Sequence, residues 1–240
     1  PQLPFWQSLK LALSHRRFLA LIALFAGSQM SFTIMTAASP FIAEDLLGGD
    51  KADIAWVMGP LLLTAIPFFL LVPAVSRRIG WLKGMLYASL GLAVIYSLSG
   101  FLGHTVIDSP MTTASLLFAL GGPMVALLLG LEGEGIVDCA EERGGAARIG
   151  IYWGVFNFAV KTLNGVALLA AMILATMTKA EAWGNTAIRA MSFTAGACLL
   201  GGMLCYFIIA PSKETHGEVK YCLLYTSPSP RDGLLSRMPS

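Results

Sequence analysis

Six stretches of this chain are apolar over about 20 residues or more, which leaves few folds open to it. They run at about 18–43, 54–76, 85–103, 111–131, 150–177 and 191–210. A helix rising 1.5 Å per residue needs about 20 residues to cross a bilayer core. Only 12% of the residues are charged and 56% are hydrophobic, whereas a soluble domain carries about 25% charge. The reading is an all-α membrane protein with six transmembrane helices. Pro40, Pro60, Pro67, Pro73 and Pro123 fall in these stretches and read as kinks, because neighbouring helices can re-satisfy freed backbone groups. Gly121-Gly122-Pro123 is the expected hinge.

Charge placement predicts orientation. Lys10, Arg16, Arg17, Arg77, Arg78, Lys83, Arg143, Arg148, Lys213 and Lys220 fall on one side of a six-span zigzag, and Lys51, Lys179 and Arg189 on the other. Both ends of the bundle are thus expected in the cytoplasm, and the acidic loop of Glu44, Asp45, Asp50 and Asp53 outside. The net charge of +2 gives no reason to expect a nucleic-acid partner.

Cys139, Cys198, Cys205 and Cys222 form no C-x-x-C pair, and His15, His104 and His216 fall in separate inter-span segments. No disulfide framework, metal site or cofactor is expected. The chain begins at Pro1 without a methionine and reads as a piece whose start has been lost. Its expected organisation is an amphipathic cytoplasmic segment over 1–17, the bundle over 18–211 and a cytoplasmic tail over 212–221. Residues 222–240 read as non-native sequence or a disordered Ser/Pro-rich tail.

Lys161 is the one charge between Gly150 and Met177. An ammonium in the middle of a span costs several kcal/mol or more unless it faces protein or water. At 100° per residue, Gly150, Gly154, Asn157, Lys161, Asn164 and Gly165 share a face about 100° wide, with Tyr152, Val155, Ala159, Leu163 and Val166 opposite. The glycines are expected to admit a close helix, and the amides to bond a polar ligand or that helix. Lys161 reads as part of a water-filled solute and cation pathway or as a structural ion pair. Gln29, Thr33 and Thr36 make a second polar line, at i, i+4, i+7 in the first span. They coordinate a hydroxyl-rich solute or bond neighbouring helices. Glu134, Asp138 and Glu141 repeat that spacing at the end of the fourth span, with Arg143 and Arg148 at hand. They read as a salt-bridged cytoplasmic gate or as a solvated loop. Arg77-Arg78-Ile-Gly-Trp-Leu-Lys83 is a basic turn between the second and third spans.

Taken in order, these features resemble a known family. Phe5-Trp6…Arg17-Phe18-Leu19 enters the first span, an R-R-x-G turn follows, then Asp138-x-x-Glu141, and finally Arg148-x-Gly150, Gly154 and Lys161. The pattern over about residues 5–215 is similar to the second half of a glycoside–pentoside–hexuronide:cation symporter, the melibiose-permease-like branch of the major facilitator superfamily. Glu141 stands where that family has a second aspartate, no tyrosine follows it, and Ile149 stands where the family has an acid.

The resemblance implies secondary active transport of a sugar or other small polar solute with Na⁺ or H⁺ by alternating access. It implies as partners a lipid bilayer and an N-terminal six-helix half of the same chain, which would hold the counter-charges of Lys161. The residues themselves supply no carboxylate at comparable depth by this reading. A membrane-embedded scaffold on the same fold is the alternative. A membrane-bound enzyme is a further one, but no H-E-x-x-H or G-x-S-x-G occurs.

Overall fold

The computed structural model describes residues 5–103, 109–143, 149–179 and 183–210. His104, Arg148, His216, Lys213, Lys220, Cys222 and the segments expected at 212–221 and 222–240 lie outside the described residues. A short amphipathic helix, α1 (Phe5–Leu13), precedes α2 (Arg16–Phe41). After α2 come a π-helical turn (Ile42–Leu46) and a 3₁₀ turn (Lys51–Asp53). Then follow α3 (Ile54–Phe69), α4 (Val72–Ile79), α5 (Trp81–Ser99), α6 (Pro110–Arg143), α7 (Ile149–Met177) and α8 (Gly184–Ile209). Six of these segments are long and apolar enough to cross a membrane, so the all-α expectation holds.

Glycine placement sets the packing. α2 lies against α8 and α7, α3 against α6, and α5 bridges α6 and α8. The α2–α8 contact is closest at Gly27. A β-carbon there would stand 2.6 Å from the Cys198 carbonyl oxygen and 2.9 Å from Gly202 Cα. Aromatic pairs fill the rest of the seam, Phe18 with Tyr152 at 4.6 Å and Phe25 with Phe156 at 5.2 Å between centroids. Leu63, Ile66 and Leu70 on the second span, Phe158 on α7 and Ile208 on α8 are exposed, as side chains bordering lipid must be.

The prolines act differently from one another. α2 continues through Pro40 into the π-helical turn, and α6 continues through Pro123. At the expected hinge, Gly121 and Gly122 are buried, and Gly122 seats the Leu61–Ala65 turn of α3 against it. The second span does break. Pro67 and Pro73 have no N–H to donate back along the helix, and the chain turns at Leu70–Leu71 before α4 begins with Pro73 in its first turn. Gly80 ends α4 at φ 82°, a conformation that strains other residues, and Trp81 starts α5.

The fourth span extends further than expected. It runs to Arg143 instead of ending near Leu131, so Glu134, Asp138 and Glu141 are helical and the solvated-loop reading is wrong. Charged residues end a hydropathy window but leave i→i−4 bonding intact.

Two neighbouring glycines of α8 test the packing. Gly→Ala in a helix interior gains up to about 1 kcal/mol where space allows. Gly201 has nothing within 4 Å of an added β-carbon, so Gly201→Ala is expected to be neutral or stabilising. Gly27→Ala and Gly202→Ala should instead cost about 1–3 kcal/mol by overpacking. Thermal unfolding in detergent micelles reads both signs.

Candidate functional site

The polar residues of α7 are turned out of the bundle. Its buried line is Tyr152, Phe156, Val160, Ala167 and Ala171. Gly150, Gly154, Asn157, Lys161 and Gly165 lie on an adjoining face and are exposed. Of the residues read as lying opposite, Tyr152 is buried, Val155 and Ala159 are half-buried, and Leu163 and Val166 are exposed. A β-carbon on Gly150, Gly154 or Gly165 would meet nothing within 4 Å. These glycines therefore pack against no helix among the described residues. The close approaches occur at Gly27, Gly202 and Gly122 instead.

The two polar lines meet at one point. Asn164, at the edge of the exposed face of α7, accepts a hydrogen bond from Thr33 of α2. Asn157 is tied within its own helix, its Nδ2 donating to the Trp153 carbonyl at 3.0 Å. Thr36 likewise donates to the Phe32 carbonyl at 2.8 Å. Gln29 is half-buried and, with Ser28, forms the polar part of a cavity of about 230 Å³ otherwise walled by Phe32, Leu92, Val125, Leu128 and Leu129.

Because α6 continues beyond Leu131, Glu132 is helical and half-buried. Its mark in the sequence is an acid immediately after an apolar run.

A second group of charges sits where α2 and α7 begin and α6 ends. Arg17 of α2 donates to Asp138 at 2.8 Å and to Glu142 at 3.1 Å, both on α6. Its guanidinium lies 5.7 Å from the centroid of the Trp81 ring, and the Trp81 indole N–H donates to Asp138 at 3.2 Å. His15, buried at the start of α2, has Nδ1 3.3 Å from the Tyr152 hydroxyl and Nε2 3.4 Å from Glu142. Ser76 of α4 hydrogen-bonds Glu134. Four helices and the α1–α2 junction thus converge on one acidic face of α6.

The cation answering Asp138 is Arg17, which spacing alone had assigned only to topology. Glu141 is exposed, and the Arg143 side chain and Arg148 lie outside the described residues. Arg77, Arg78 and Lys83 of the basic turn are exposed, and that turn contributes Trp81 to the cluster. Sequence reasoning missed Arg17, Trp81, Glu142 and the His15–Tyr152 contact because their partners are far apart in the chain.

Among the described residues no three His, Cys, Asp or Glu side chains are grouped as metal ligands would be. The model of the MFS/sugar transport protein family matches residues 1–211. The chain belongs to this family. Comparison with curated proteins and with solved structures finds no match. The membership makes this a multi-pass membrane protein of a transport family, in keeping with its six long apolar helices.

Replacing Arg17 tests the cluster. Arg17→Gln removes contacts to Asp138, Glu142 and Trp81 together. It is expected to lower stability by about 1–2 kcal/mol, less than for a fully buried network because both acids are partly exposed. Arg16→Gln, at an exposed neighbour, should change it by less than about 0.5 kcal/mol. Thermal unfolding of the two variants in the same detergent makes the comparison.

Proposed function

We propose that this chain is one half of a secondary active carrier that moves a sugar or other small polar solute with Na⁺ or H⁺. The observation that carries this reading is the joining of two polar lines at the Thr33–Asn164 hydrogen bond, with Lys161 and Asn157 on a face their own bundle leaves uncovered. A lysine bordering lipid at that position would be costly. A lysine bordering a hydrated cavity shared with a second bundle would not. Gly150, Gly154 and Gly165, bare in this half, would let helices of that second bundle approach closely.

In this reading Lys161, Asn157, Asn164, Gln29, Thr33 and Thr36 line the solute and ion pathway. The charges around Arg17, Glu134, Asp138 and Glu142 form the cytoplasmic gate, and both ends of the bundle lie in the cytoplasm. Alternating access then consists of rocking the two bundles about the shared cavity. The clasp of Arg17 on α6 ties α2, α5 and α6 at one end, so they would move as one body.

Two measurements test the reading. In proteoliposomes containing the complete carrier, Lys161→Ala and Lys161→Gln are expected to reduce ion-gradient-driven solute uptake at least about tenfold, a loss of about 1.4 kcal/mol or more. Unchanged uptake in both variants would remove Lys161 from the mechanism. The 240-residue chain alone is expected to insert into membranes and give no uptake above empty vesicles, since half of the cavity wall is then absent. Robust uptake by it would contradict the two-bundle reading.

A further inference from the structure

We propose that the cleft between α2 and α6 receives an apolar arm of the carried solute, a short alkyl or aryl group with one hydrogen-bonding atom beside it, held by the Gln29 amide. That the arm belongs to a carried solute rests on the transport reading above. The cleft as a binding site for such a group does not.

The two helices part to form it. α2 lies against α7 and α8, and α6 against α3 and α5, so α2 and α6 meet mainly at their charged ends. There Arg17 bonds Asp138, and a β-carbon on Gly135 would stand 3.1 Å from a methyl carbon of Leu21. Leu128 lies two turns before Gly135, about 10 Å along α6. At that level a cleft of about 230 Å³ opens, walled by Phe32 of α2, Leu92 of α5 and Val125 and Leu128 of α6. Its polar groups are two neighbours on α2. The Ser28 hydroxyl is buried and donates to the Phe25 carbonyl at 2.7 Å, so its oxygen can only accept. Gln29 is half-buried, and its amide makes no hydrogen bond among the described residues. That amide offers both a donor and an acceptor.

Such a wall sorts solutes by polarity. A sugar ring carries a hydroxyl on almost every carbon, and leucine and valine side chains cannot bond them. Each hydroxyl left unpaired there weakens binding by roughly tenfold. A hydrocarbon group meets no such loss and gains by leaving water. Size agrees with this, because a cavity of about 150 Å³ walled by Leu, Ile and Phe accepts benzene. The cleft therefore has room for a phenyl ring and one polar substituent. It also adjoins the polar line of α2. Gln29 and Thr33 lie one turn apart, and Thr33 bonds Asn164 of α7. A solute whose polar part sits at Thr33 and Asn164 reaches Gln29 with its next group. A lipid tail has no hydrogen-bonding atom at that depth and would leave the Gln29 amide unpaired.

The test uses the complete carrier and 4-fluorophenol, a ring of the right size with one hydroxyl. In lipid nanodiscs, fluorine NMR is expected to show a bound resonance distinct from that of the probe dissolved in empty nanodiscs. Gln29→Leu should weaken binding at least threefold. Leu129→Trp should weaken it at least tenfold, since Leu129 lines the cleft and is partly exposed, so a larger ring there can fill the mouth without entering the packed core. In proteoliposomes, ion-gradient-driven uptake of phenyl β-glucoside should half-saturate at a concentration at least tenfold below that of glucose. Absence of a bound resonance, or binding that both variants leave unchanged, overturns the cleft. Equal half-saturation of the two sugars overturns the apolar arm. Uptake of either sugar without fluorophenol binding overturns the cleft and leaves the transport reading standing. Fluorophenol binding sensitive to both variants, with no uptake of either sugar, supports the cleft and overturns the sugar form of the transport reading instead.

Discussion

A charged group surrounded by hydrocarbon has no water to fall back on, and its position is tolerable only where protein or an enclosed aqueous space supplies the missing polarity. Two charges test this condition, Arg17 at the start of α2 and Lys161 within α7. Arg17 meets it within the bundle, with two carboxylates and an indole ring arranged around one guanidinium. Lys161 is exposed on a helix face that its own bundle leaves uncovered. The charge of one is matched within the bundle, and the helix face of the other is uncovered.

The same division is seen in the small residues. Where Gly27 and Gly202 bring α2 and α8 into backbone contact, the gain is dispersion and packing, because lipid offers no hydrophobic advantage to helices already in the membrane. Where Gly150, Gly154 and Gly165 stand bare, the same residue type creates a recess. Sequence spacing cannot separate these uses. A glycine records that bulk is absent, and only the neighbouring helix shows whether that space is taken.

Much of the architecture was legible because it rests on local properties. Apolar length placed six spans, and the i, i+4, i+7 spacing of Gln29, Thr33 and Thr36 and the corresponding face of α7 placed two polar lines that do meet, at Thr33 and Asn164. What could not be read rests on contacts distant along the chain. Arg17 and Asp138 belong to different spans, so their pairing left no mark in either segment. The length of α6 was missed for a different reason. Hydropathy falls where charges begin, while the hydrogen bonds of α6 continue for several turns beyond. The charged end of that helix, which carries the acidic face of the clasp, was therefore underestimated in length.

The break at Leu70–Leu71 has a consequence for how the bundle meets membranes of different thickness. α3 has 16 residues, about 24 Å of helix, against a hydrocarbon core of about 30 Å. With the 3₁₀ turn that precedes it the segment has 19 residues, Lys51–Phe69, and beyond it the exposed side chains of Leu70 and Leu71 carry the apolar surface on to α4. Thin and thick bilayers impose a mismatch that an unbroken helix would accommodate by tilting. Here the proline-bounded turn interrupts the span, while beyond it Val72 against Gly130 and Ser76 bonded to Glu134 anchor α4 on α6, so a tilt of α3 need not be carried into the charged end of the bundle.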